Sequence, residues 1–136
     1  TWTKLRMRSS GKEFAYLNTH LDHIGKEAQR EGLALIVERA HEIVPEGMPA
    51  FVTADFNTDT TDPIFEPLKA DMMDAREVAP ITDPRTTFNG WGTADTRLDH
   101  IFFRGAEAQQ FSVLRDKDYG APYISDHYPV MFDATF

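Results

Sequence analysis

Four short polar clusters interrupt an otherwise ordinary globular sequence: Asn18-Thr-His-Leu-Asp-His23, Asp55-Phe-Asn57, Arg97-Leu-Asp-His100 and Ser125-Asp-His127. Each combines carboxylates with imidazoles or carboxamides, groups that can take a proton from water, donate one to an anion or bind a hard cation. Asp55 and Asn57 lie two residues apart, and on an extended backbone such a pair points the same way. Asp99 sits inside the apolar run Leu98 to Phe103, where an unpaired carboxylate is expensive to bury, so it needs a cation, a metal or a histidine. Taken singly, each cluster also has a plain structural reading. Asp55-Phe-Asn57 and Asp126-His127 can be turns, and His20 a histidine satisfied at a strand end. His41, on the polar side of a helix, is expected at the surface. The collective signal is that all four clusters lie at an end of an expected strand, where a rigid sheet can present side chains to one cleft.

The elements that must carry these clusters are legible from hydrophobic periodicity. Thr1 to Arg8 alternates Leu5 and Met7 with Lys4, Arg6 and Arg8, the period of a half-buried strand, and Glu13 to Thr19 resumes it after the turn Ser9-Ser-Gly-Lys12. Lys26 to Val44 is a helix with Leu33, Ile36, Val37, Ala40 and Val44 on one stripe, ended by Pro45 and Gly47. Ala50 to Ala54 reads as a strand buried on both faces, joined to the previous strand by a right-handed crossover. Asp62-Pro63 caps a short helix over Ile64 to Ala70. Ala79 to Gly92 reads as loop, and strands are expected over Arg97 to Arg104, Gln110 to Leu114 and Val130 to Phe136.

Composition narrows the classes. At 136 residues the chain suits one domain, and no repeat or linker divides it. The absence of cysteine excludes disulfides, thiolate zinc sites and thiol catalysis. No apolar run reaches the roughly 20 residues of a membrane helix. The formal charge of −8 gives sequence-independent nucleic-acid binding no long-range help, so a nucleic-acid partner is not favoured.

The ordered set of clusters resembles the second half of the endonuclease/exonuclease/phosphatase superfamily, the deoxyribonuclease-like fold. The match comprises Asn18-Thr-His20, then Thr53-Ala-Asp-Phe-Asn57, Arg97-Leu-Asp-His-Ile-Phe102 and Ser125-Asp-His127 before the last strand. Thr87-Phe-Asn-Gly-Trp91 also resembles a segment of bacterial members. The resemblance implies an α/β (α+β) fold: half of a four-layer α/β-β/α sandwich, a mixed, largely antiparallel sheet with helices on one face. It implies that residues 1–136 are the C-terminal part of such a domain, with the N-terminal half absent.

The implied activity is metal-dependent phosphoester hydrolysis, by a phosphodiesterase or phosphatase. Asp55 would activate the attacking water and Asn57 would hold phosphate or water. Asp99 would orient His127 and favour its cation, and His20 would donate to a phosphoryl oxygen. Asp126 would face Mg²⁺ or Mn²⁺, whose principal Glu ligand belongs to the missing half. Arg97, Asn89 and Trp91 are candidates for substrate contact, Arg97 alternatively pairing with an acidic neighbour; the readings of His23 and His100 stay open. About one sheet with its helices would leave the opposite sheet face apolar, to be covered by the N-terminal half or by self-association. Two other readings compete: a catalytically silent interaction or structural module, and a zinc hydrolase of the metallo-β-lactamase type. The latter rests on His20-Leu-Asp-His23, but Asn18 stands where that motif needs a histidine.

Overall fold

A computed structural model describes residues 1–115 and 120–136 of the chain. Strands β1 (Trp2–Arg6) and β2 (Glu13–His20) form the expected antiparallel hairpin. Helix α1 (Lys26–Ile43) then carries the chain to β3 (Ala50–Asp55), parallel to β2. A 3-10 turn (Pro63–Phe65), capped by the Asp62 side chain, runs into α2 (Glu66–Lys69). Two short elements follow that periodicity does not reveal, β4 (Met73–Asp74) and α3 (Ala75–Val78). The expected loop 79–92 contains β5 (Ile81–Thr82) and a 3-10 turn at Gly90–Gly92. Strands β6 (Asp99–Arg104), β7 (Glu107–Val113) and β8 (Val130–Thr135) complete the chain.

These strands form two sheets rather than the single sheet expected, a five-stranded one ordered β1-β2-β3-β6-β4 and a three-stranded one ordered β5-β7-β8. The pleat divides the large sheet cleanly. Ala15, Leu17, Ala50, Val52, Ala54 and Phe102 point to the helical layer, where they bury Leu33, Ala40 and Val44 of α1 with Phe56, Phe65 and Leu68. The other face meets the small sheet: Ile101 and Phe103 of β6 pack with Phe111 and Val113 of β7, and the Phe103 and Phe132 rings lie 4.7 Å apart. The small sheet covers mainly the β6 side of that face, with Phe132 also reaching Phe51 of β3 at 6.4 Å between ring centres. Toward β2 an open groove of about 600 Å³ remains, walled by Phe14, Phe51, Phe132 and Phe136.

Two burial expectations change. Strand β1 is exposed along its whole length, with Trp2 at 52% and Leu5 at 43%, because it lies at the sheet edge beyond the reach of α1. Strand β3 is fully buried on one face only; Phe51, Thr53 and Asp55 line the groove. Among the described residues no helix is long and apolar enough to cross a membrane.

A side-chain clip extends the β5–β7 pairing beyond its two paired residues. Asp83 accepts the Nε and Nη2 protons of Arg85 and the backbone N–H of Val113, while Arg85 Nη2 also donates to the Val113 carbonyl. The Arg85 side chain foremost, with the N–H groups of Arg85 and Val113 and against the cost of burial, holds the Asp83 carboxyl well below the usual carboxylate range. A depressed carboxylate contributes stability above its unfolded value and loses it as pH falls toward the folded one. Asp83→Asn should therefore destabilise the fold by about 1–3 kcal/mol at pH 7 and by much less near pH 2. Urea unfolding at both pH values checks this; an equal cost at both would show that the charge is not what holds the clip.

Candidate active site

The register of the large sheet assembles the site. His20 ends β2, Asp55 ends β3 and Asp99 begins the antiparallel β6, so the three occupy one row: His20 opposite Asp55, and Asp55 opposite Asp99. All three point to the groove face, with Asn18, Thr53 and Ile101 in the row beneath. There Tyr16 Oη shares a hydrogen bond with Thr53 Oγ1 at 2.9 Å, and Asn18 Nδ2 donates to the same hydroxyl oxygen at 2.8 Å.

His127 reaches the row from the loop before β8. Its Nδ1 lies 2.8 Å from Asp99 Oδ2 and its Nε2 lies 3.6 Å from Asp55 Oδ2, while His20 Nε2 approaches the same Asp55 oxygen at 3.2 Å. The partner that Asp99 requires is thus a histidine. Burial alone would lower the His127 pKa; the Asp99 hydrogen bond and the charges of Asp99, Asp55 and Asp126 outweigh it and raise the pKa above the ordinary histidine value. The Phe88 and His127 ring centres lie 4.9 Å apart, with the planes tilted by 52°. Asp55 is itself held: its Oδ1 accepts the Asn57 N–H at 2.9 Å, which leaves Oδ2 facing the two histidines.

The supporting residues are those sequence reasoning missed. Buried Thr87 accepts the N–H groups of Leu98 and Asp99 on its hydroxyl oxygen, and its carbonyl accepts Tyr128 N–H, so one residue stitches the Asp99 strand to the His127 loop. Gln29 of α1 is 1% exposed and donates to the carbonyls of Asp22 and Asn57, tying together the loops that follow His20 and Asp55. Gly32, one turn on, leaves room for Leu21; a Cβ there would stand 2.9 Å from Leu21 Cδ2. The sequence signal for Thr87 was the Thr87-Phe-Asn-Gly-Trp91 segment; Gln29 had none, being one polar residue on a helix.

The remaining candidates fall into different places. Asn57 sits at φ 54° and its Nδ2 donates to the Leu21 carbonyl at 2.9 Å. One of its two Nδ2 protons therefore fastens the His20 loop. Asn89, expected to touch substrate, is 5% exposed, with Nδ2 on the Ser125 carbonyl and Oδ1 accepting Trp91 N–H, so it braces the loop instead. Arg97 lies outside the groove, donating to the Pro84 carbonyl and lining a surface depression with Asp59 and Asp95. Trp91 stands exposed at the turn tied to Asp126. His100 faces the helical layer beside Phe56 and Phe65, where burial pushes its pKa down, and His23 is exposed.

Asp55, Asp99 and His127 offer ligand atoms within 4.8 Å of one another. Asp99 Oδ2 and His127 Nδ1, however, are engaged with each other, so the cluster does not present the oxygen set that Mg²⁺ favours. Asp126, the expected metal ligand, is outside this cluster; its backbone carbonyl receives the N–H groups of Asn89 and Gly90. The described residues do not by themselves fit a magnesium site.

A sequence model of the endonuclease/exonuclease/phosphatase family matches residues 5–127. This chain belongs to that family. Comparison with curated protein sequences gives no significant match. Among solved structures, the mannosyl-6-phosphatase Bt3783 of Bacteroides thetaiotaomicron superposes with a TM-score of 0.86 at 30% identity, covering 99% of this chain and 56% of that one. The endonuclease/exonuclease/phosphatase from Bacteroides vulgatus gives 0.86 at 30% identity over 98% of this chain and 53% of that one. The human Nocturnin catalytic domain, at 21% identity and a TM-score of 0.71 over 97% of this chain and 52% of that one, shares the fold. The chain spans about half the length of these structures. Membership agrees with the α/β sandwich-half architecture and removes the zinc-hydrolase reading, as does the position of His23 outside the cluster.

Proposed function

We propose that the chain is the C-terminal part of a phosphoester hydrolase domain of this family. The observation that carries the reading is the convergence of His20, Asp55, Asp99 and His127, from four separate segments, on one end of the groove. Asp55 Oδ2, the oxygen that the Asn57 N–H does not hold, lies between the two imidazoles and is a suitable acceptor for the proton of an attacking water. His127, whose cation the Asp99 carboxylate favours, and the 70%-exposed His20 offer donors to phosphoryl oxygens, whose growing charge they would stabilise. A divalent ion in the complete domain would add charge neutralisation. The groove beside the site fits the remainder of the domain: its Phe14, Phe51, Phe132 and Phe136 walls are open here, and the matched structures are about twice as long.

The similarity to a mannosyl-6-phosphatase makes sugar phosphates the first substrates to try. The decisive assay follows hydrolysis of p-nitrophenyl phosphate and bis(p-nitrophenyl) phosphate with Mg²⁺, with Mn²⁺ and without metal. Turnover that disappears in Asp55→Asn supports the reading, and turnover that survives the substitution rejects it. A second reading, a catalytically silent module, is favoured by the incomplete oxygen ligand set. It predicts a folded chain that hydrolyses neither ester under any of the three conditions.

A further inference from the structure

Strand β6 carries two polar residues in succession, and the pleat sends their side chains to opposite faces. Asp99 faces the groove and holds His127. His100 faces the helical layer, where it is 2% exposed and its ring centre lies 5.9 Å from those of both Phe56 and Phe65. A polar ring in such surroundings needs a partner for its proton. It has one in the Thr58 carbonyl oxygen, 3.1 Å from Nε2. A carbonyl only accepts, so Nε2 carries the ring proton and His100 is the donor.

Thr58 belongs to the turn that leaves β3 through Asn57, whose φ of 54° is left-handed and persists only where its surroundings over-determine it. Asp55 Oδ1 accepts the Asn57 N–H, and Asn57 Nδ2 donates to the Leu21 carbonyl. The next two carbonyls along the chain are each held by a buried side chain from a different element. Gln29 of α1, 1% exposed, donates to that of Asn57, and His100 of β6 donates to that of Thr58. The shape of this turn decides whether the Asn57 N–H can reach Asp55 Oδ1, and that bond is what leaves Oδ2 facing His20 and His127.

We propose that His100 is a positioning residue for Asp55, acting through the Thr58 carbonyl. Strand β6 then orients both halves of the polar row, His127 from its groove face through Asp99 and Asp55 from its helical face through His100. The inference rests on the phosphoester hydrolase reading and deepens it.

The test begins with nitrogen NMR of the histidine rings in the intact protein, which should show His100 with its proton on Nε2; a proton on Nδ1 alone overturns the inference. His100→Phe keeps an aromatic ring between Phe56 and Phe65 without the donor, and His100→Gln keeps an N–H at similar reach. In His100→Phe the Asn57 N–H should exchange with solvent about tenfold faster relative to the central amides of β3, the size of one lost hydrogen bond. His100→Gln should restore most of that protection. Val44→Ala, a core truncation at the other end of α1 from the His20 loop, should leave the ratio unchanged. On p-nitrophenyl phosphate, kcat should fall about tenfold in His100→Phe with KM changed less than about twofold, and should recover in His100→Gln. Should His100→Phe not fold, His100→Asn, whose donor stops short of Thr58, takes its place. Unchanged Asn57 exchange, or equal losses in the Phe and Gln variants, overturns the positioning role. Turnover that His100→Phe does not alter removes that role and leaves the hydrolase reading standing. Expected exchange behaviour in a chain that hydrolyses nothing supports the hold on the turn and removes the hydrolase reading alone.

Discussion

Asp55→Asn should lower turnover of a phosphate ester by about 10²–10⁴-fold while changing KM only a few-fold. The asparagine keeps the shape and retains an oxygen for the Asn57 N–H, so the strand end and its loop stay in place. What changes is the group facing His20 and His127 at 3.2 and 3.6 Å. A carboxylate oxygen that could take a proton from water becomes either an amide oxygen of negligible basicity or an amide nitrogen that opposes two donors. Steady-state kinetics on both p-nitrophenyl esters checks this, with circular dichroism as the folding control. A turnover within tenfold of the unsubstituted protein would mean that Asp55 is not the base.

The second large effect belongs to the His127–Asp99 pair. His127→Ala and Asp99→Ala should each cost about 10²–10³-fold in kcat/KM, and the double substitution scarcely more than the larger single loss. The reason is that Asp99 acts only through the imidazole: its Oδ2 fixes Nδ1 at 2.8 Å and thereby sets which nitrogen faces the cleft. The pair has a signature independent of activity. In the intact protein the His127 ring should titrate above an ordinary histidine, and in Asp99→Ala below its intact value, since burial then acts against weaker opposition. Because the folded pKa is raised, the stability it contributes is complete below about pH 6.5 and is lost as pH rises through the folded value. NMR titration of the ring measures the shift; multiplicative kinetic losses, or an unmoved ring pKa in Asp99→Ala, would separate the two residues.

Local patterns carried the main elements and failed where elements are short. The α1 stripe is visible because five apolar residues repeat at helical spacing, and the core buries Leu33, Ala40 and Val44 from that stripe. Strands β4 and β5 and helix α3, two to four residues each, are too brief for any period to register. Asp99 could be read as needing a partner because its apolar neighbours imply burial; nothing local distinguishes His127 from His100 as that partner. Alternation does so once the strand register is known, since Asp99 faces the groove and His100 the helical layer. Asn89 and Arg97 show the converse. Both have the chemistry to bind substrate, yet one is consumed bracing a loop and the other lies outside the groove.

By itself, then, the chain's order of residues determined its class, its principal helix and strands, and which polar segments end those strands, because these follow from spacing within a dozen residues. Only the tertiary structure decided which side chains meet. A one-residue change of register turns every side chain of a strand to the opposite face. The pairing of β2, β3 and β6 alone aligns His20, Asp55 and Asp99, and Thr87 and Gln29 act through backbone groups that no sequence pattern displays.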